Sequence, residues 1–168
     1  MKLNDLLLSE FDREVTRSRK ALEQMPDGKK EWKPHDKSMQ FGYLCEMVAT
    51  IPNWIALMIS RDDLDIAPKD GSQIKRETLN TRDDYLKAHD KASADGRAAL
   101  LGASDEHLKK PWKLLAGGNV VLEMSRHDMV SDTLNHLVHH RGQMTVYLRL
   151  MGAKVPALYG PSADDKSF

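Results

Sequence analysis

Apolar side chains recur every three to four residues through four stretches of this chain, and that spacing predicts four amphipathic helices. The first runs from about Leu3 to Met25. It places Leu3, Leu6, Leu7, Phe11, Val15, Ser18 and Leu22 on one face, and Pro26-Asp27-Gly28 stops it. The second opens near Ser38 and carries Leu44, Met47, Val48, Ile51, Ile55 and Met58. Pro52 falls inside that stripe, where it removes one backbone hydrogen bond and is expected to kink the helix. The following "RDDLDIAPKDGSQ" reads as an exposed connection. The third helix covers about Thr78 to Leu101, with Leu79, Leu86, Ala94, Ala98 and Leu101 as inward positions. Ser104-Asp105-Glu106 begins one further short turn.

The period then changes. In "WKLLAGGNVVLEM" two short apolar runs flank Gly117-Gly118-Asn119, which predicts a small β-hairpin. Two strands alone are marginal in water, so the hairpin must lean on the helices. The last helix has the clearest limits. Ser125 and Asp128 resemble a capping box with Asp in place of the usual Glu, and Gly152 followed by Pro156 ends it. The expected fold class is all-α: a four-helix bundle with a small β-hairpin before the last helix. The 168 residues suffice for one core, so 1–168 reads as a single domain, with an ordered tail from about residue 153.

Composition narrows the function classes. Lys plus Arg and Asp plus Glu balance at 25 each, so no net basic field draws the chain to nucleic acid or an anionic membrane. The single cysteine, Cys45, rules out an intrachain disulfide and fits a reducing cytoplasm. No apolar run is read as approaching the ~20 residues that span a bilayer. The expectation is a cytoplasmic domain without nucleic-acid or membrane partners.

The candidate chemistry lies in "HLVHHRGQ" on the last helix. At ~100° per residue, Val130, Leu134, Leu137, Met144, Leu148 and Met151 form one apolar stripe. His136, His140, Gln143 and Tyr147 form a second line beside it, extended upstream by Met129, while His139 faces solvent with Asn135, Gly142 and Val146. Histidines at i and i+4 bring their rings close enough to share one metal ion. Spacing alone favours an ordinary semi-buried pair, because a metal needs a further ligand from another helix. His127 falls on the opposite side, and His35, His89 and His107 read as solvated.

"NHLVHHRGQMTVYLRLMG" resembles the last helix of the DinB-like (YfiT-like) four-helix-bundle family, whose pattern there is His, three residues, then His-Arg-Gly-Gln. "EWKPHDKSMQFGYLCEMVATIPNW" resembles that family's loop into the second helix, and "GPSADD" its closing segment, so the likeness covers most of the chain. The resemblance implies a divalent metal, Zn or Ni, held by three histidines. His136 and His140 carry over as two of them; the third position, on the second helix, holds Met47. A thioether is a soft ligand, poor for Zn or Ni and better suited to Cu(I), and Met47 also reads as core filler. Glu46 lies ~100° round from Met47 and Cys45 ~200°, so a kink at Pro52 leaves Glu46 open as a donor, as are Asp164 and Asp165 of the tail.

Two readings follow from the resemblance. In one, a metal-dependent enzyme transfers a low-molecular-weight thiol such as bacillithiol or mycothiol, or hydrolyses a small molecule. Gln143 then orients a ligand imidazole, and Tyr147 orients substrate or simply closes the core edge. In the other, the bundle has lost its metal and binds a small ligand or a protein partner. Arg141 points away from the pair by the wheel and is assigned a structural role, and the resemblance implies a homodimer. No catalytic residue is assigned.

Overall fold

The computed structural model describes residues 2–72 and 77–167; Gln73, the end of the connection read as exposed, lies outside the described residues. Helix α1 spans Leu3–Leu22, ending just short of the expected Met25. It buries Leu7, Leu8, Phe11, Glu14, Ser18, Ala21 and Leu22. Leu6, expected inward, is 55% exposed. It lies five residues before Phe11, about 140° round the helix, while Leu8 falls on the core side.

Helix α2 spans Phe41–Ser60, opening three residues later than the pattern suggested. The entry loop explains this: Phe41 N–H donates to Trp32 O at 2.7 Å and Gly42 N–H to Lys30 O at 2.8 Å, so the loop itself caps the first turn. α2 continues through Pro52 to Ser60. With Glu46 its one charged side chain, it is long and apolar enough by composition to cross a membrane, a correction to the sequence reading. Of its most apolar window, 56% is buried inside the bundle, so that apolar surface builds the core. α2 comes close to α3 at one point: a Cβ on Gly96 would sit 2.4 Å from Pro52 O.

Helix α3 spans Arg82–Gly102 and starts at a reciprocal capping box between Thr81 and Asp84, not at Thr78. Its inward face is Tyr85, His89, Ala92, Gly96 and Leu100. Leu79 is buried just ahead of the helix and Leu86 packs against the core as expected, but Ala94 and Ala98 are exposed and Leu101 is 60% exposed, so the expected stripe was displaced over the second half of the helix. The true one runs through a histidine and a glycine, which hydrophobicity does not mark. A short helix α4, Asp105–Lys109, follows where one turn was expected.

The hairpin is present as β2 (Pro111–Ala116) and β3 (Asn119–Ser125), joined by Gly117 and Gly118, both at positive φ as a type I′ turn requires. A strand that the pattern did not reveal, β1 (Asp63–Asp65), pairs parallel with β2 to give the order β1-β2-β3. Three residues reading Asp-Leu-Asp are too short and polar to signal a strand. The Asp65 carboxylate accepts N–H bonds from Ala67, Gly117 and Gly118, fixing the turn.

Helix α5 spans Arg126–Leu150. Ser125 caps it, but the Asp128 carboxylate accepts from the Ser125 hydroxyl at 2.5 Å where a capping box would use the backbone N–H. α2 packs between α3 and α5, and α1 closes the bundle against the same two helices. The wholly buried Arg126 donates to Met58 O, Pro111 O and Arg61 O and pairs with Asp62, tying the start of α5 to the end of α2 and to the sheet. The fold is an all-α bundle with a small sheet at one end.

Candidate functional site

A cavity of about 620 Å³ opens over α2, walled by α3 on one side and α5 on the other, with the sheet at its floor. Its apolar lining includes Met47, Trp54, Met58, Trp112 and Met129. Trp112 is 1% exposed, and its Nε1–H has no partner among the described residues. His136 reaches this wall from α5, its ring edge-on to Trp54 at 5.5 Å between centroids.

Helical spacing brings His136 and His140 together as expected. Their Nε2 atoms lie 2.8 Å apart. The Gln143 side-chain oxygen accepts from His140 Nδ1–H at 2.9 Å. An amide oxygen can only accept, so it fixes the proton on Nδ1 and leaves His140 Nε2 with its lone pair. His136 Nε2–H then donates across the 2.8 Å contact. His140 is 3% exposed, His136 is half-buried and His139 is exposed, so the wheel resolved the three correctly. Burial first, then the neighbouring His140 and His139, hold the His136 pKa below its ordinary value.

The register of α2 against α5 follows from two ring contacts. Trp54 meets His136, and Phe41 meets Tyr147 at 6.4 Å. Met47 lies about midway between Phe41 and Trp54, so it is level with the His140–Gln143 turn. It is half-buried, packs against the core and lines the cavity with His136. Glu46 lines the same cavity. Asp164 and Asp165, considered as further donors, are used elsewhere. Asp164 holds Arg149 and Val155 N–H, and Asp165 holds Ala157 and Ser167 N–H. The tail folds on itself, which keeps these carboxylates from the pair.

A three-donor zinc or nickel centre does not fit this arrangement. Among the described residues no three of His, Cys, Asp and Glu gather into one metal-binding group. Two imidazoles alone leave a divalent ion mostly water-ligated.

Arg141, one residue beyond His140, points to the opposite side and is structural. It pairs with Glu14 of α1 at 2.6 Å, donates to Glu14 O and Ser18 Oγ, and meets the Tyr159 hydroxyl. Burial pushes the Glu14 carboxyl pKa up, but hydrogen bonds from Tyr159 and Arg141 outweigh it and leave it below the ordinary value. Tyr147 closes the core edge: its ring stands edge-on to Trp32 at 5.5 Å and its hydroxyl reaches Met39 O at 3.4 Å.

Two histidines read as solvated are not. His89 is 1% exposed and donates from Nε2 to Val15 O at 2.9 Å. His107 Nε2 bonds Ile59 O at 2.8 Å and anchors α4 to α2. Both sit among charged neighbours in sequence, which hid the inward turn of each ring. His35 stays in its loop, with Nδ1 accepting from Lys37 N–H, and His127 lies beside Asp128 at 3.3 Å. Trp54, Thr133 and Trp112 shape the cavity without having been singled out. Thr133 donates to Met58 S at 3.5 Å.

The solved structures include two similar folds. A DinB-like protein of Bacillus subtilis, YjoA, superposes with a TM-score of 0.69 at 19% identity, covering 96% of this chain and 99% of that one. A DinB-like protein of Bacillus cereus ATCC 10987 gives 0.70 at 20% identity, covering 91% and 95%. The uncharacterized protein YrdA of Bacillus subtilis is 40% identical over 43 residues, a span of about a quarter (26%) of each chain. The DinB family model matches residues 1–167, so with the bundle, its sheet and the paired histidines of α5 accounted for, this chain belongs to the DinB family.

Proposed function

We propose that the chain binds a small, largely apolar molecule in the cavity over α2, with the His136–His140 pair as its polar end and without a tightly held zinc or nickel ion. The observation that carries this reading is the cavity itself: about 620 Å³, walled by tryptophan, methionine and leucine, with a neutral imidazole at its edge. Pockets of this size and lining take drug-sized ligands through apolar contact, while a few polar groups set orientation. His136 gives its Nε2–H to His140, so its Nδ1 can accept one hydrogen bond from such a ligand, and His140, locked by Gln143, holds the ring in place.

The test uses a neutral apolar fluorophore, N-phenyl-1-naphthylamine. One equivalent is expected to bind with enhanced emission. Asn53→Trp, which enlarges a half-buried cavity-wall residue, is expected to block it. His136→Ala is expected to weaken binding of probes that carry a hydrogen-bonding group more than that of pure hydrocarbons. Equal binding by wild type and Asn53→Trp would place the probe elsewhere and remove the reading.

A further inference from the structure

We infer that the molecule this cavity takes is an organic cation, an apolar body of ring size that carries a protonated amine. This rests on the apolar-ligand reading above and names the class of ligand within it. The first observation is charge. The chain is neutral overall, with 25 basic and 25 acidic residues. The cavity is not: among the described residues Glu46, Glu77, Asp95 and Asp132 line it against one lysine, Lys91. Lys91 is held by Asp95, Nζ to Oδ2 at 2.6 Å, and Glu46 is engaged within the protein. Asp132 and Glu77 form no hydrogen bond or ion pair among the described residues, and both are exposed, which puts them at the mouth. Two unpaired carboxylates over an apolar cavity attract a positively charged group.

The second observation is the direction of hydrogen bonding. Asp132 and His136 stand one turn apart on α5 and line the same cavity. With its Nε2–H given to His140, His136 presents a lone pair at Nδ1. The carboxylate and that lone pair are both acceptors. A protonated primary amine has three N–H donors and matches both. A hydroxyl has one donor for the two, and an anionic ligand has none and is repelled. The third observation is at the floor. Trp112 lines the cavity at 1% exposed, and its Nε1–H has no partner among the described residues. Buried donors are nearly always satisfied, so this one marks a site that a ligand completes. The indoles of Trp54 and Trp112 add to the selectivity, because aromatic rings attract a nearby organic cation.

The test is calorimetric titration at pH 7 with three naphthalenes of matched size: 1-naphthylmethylamine, which is protonated, neutral 1-naphthalenemethanol and anionic 1-naphthoate. The amine is expected to bind about fivefold tighter than the alcohol, the effect of one or two partly exposed ion pairs, and the naphthoate weakest. Raising NaCl to 0.5 M is expected to shrink the advantage of the amine. Asp132→Asn keeps the shape and is expected to lower amine affinity about threefold, bringing it toward that of the alcohol. Asn53→Trp is expected to block all three. Equal affinity for the three probes overturns the inference, as does amine binding unchanged by Asp132→Asn or surviving Asn53→Trp. Fluorophore binding in the same samples separates the two proposals. Fluorophore bound without preference for the amine removes only the cation inference; binding of neither the fluorophore nor any naphthalene removes both.

Discussion

Replacing Glu14 by leucine is expected to destabilise the protein far more than the loss of one contact. Its carboxylate pairs with Arg141 at 2.6 Å, and the two side chains are 7% and 1% exposed. Removing the carboxylate leaves the guanidinium buried with only Glu14 O, Ser18 Oγ and the Tyr159 hydroxyl as partners. Those dipoles do not neutralise it. An uncompensated buried charge costs about 3–5 kcal/mol, which for a chain of this length lowers the melting temperature by roughly 2–4 °C per kcal/mol. The double variant Glu14→Leu/Arg141→Met replaces both charges by apolar groups of similar volume, and is expected to recover most of the loss. Urea unfolding of the wild type, both single variants and the double variant closes the cycle. A single-variant cost below about 1 kcal/mol, or a double variant no better than the worse single, would refute the view of this pair as a desolvated ion pair. Because Arg141 adjoins His140, the single variants should also disorder the histidine pair, whereas the double variant should keep it.

His89 sets an acid limit. Burial holds its pKa below the ordinary 6.5, so the unfolded chain binds its proton at a higher pH than the folded one. The folded state therefore keeps its full stability above about pH 6.5 and loses it as the pH falls below that value. His89→Gln is expected to flatten this acid limb in melting temperature against pH, and an unchanged slope would contradict it. Gly96→Ala is expected to destabilise by about 1–3 kcal/mol, because its Cβ meets Pro52 O at 2.4 Å. Gly142→Ala, in the same chemistry on open surface, is expected to stabilise by up to about 1 kcal/mol in thermal unfolding. Gln143→Leu is expected to release the Nδ1–H tautomer of His140, read as a change in its imidazole nitrogen shifts. Unchanged shifts would show that Gln143 does not fix the ring.

Periodicity alone determined the helical class, the hairpin at Gly117-Gly118, and the partition of α5 into a core stripe, an adjacent His136–His140 line and an outward His139. Those features depend on local geometry: 100° per residue, and two glycines able to take positive φ. The displaced face of α3, the late start of α2 and the strand β1 were decided by contacts between distant segments. Gly96 is inward because Pro52 O needs the space, α2 starts where the Trp32 and Lys30 carbonyls cap it, and β1 exists because β2 offers it a partner. The site divides the same way. Two ligand-like imidazoles one turn apart are legible in a single helix. Whether a third donor meets them depends on how α2 is rotated and raised against α5, and on where the tail carboxylates are spent. A linear pattern cannot encode the relative placement of two helices, because it is fixed only when both faces pack at once. Only the tertiary structure therefore put Met47 on the cavity wall that His136 also lines, turned Asp164 and Asp165 into tail anchors, and buried His89 among residues that read as surface.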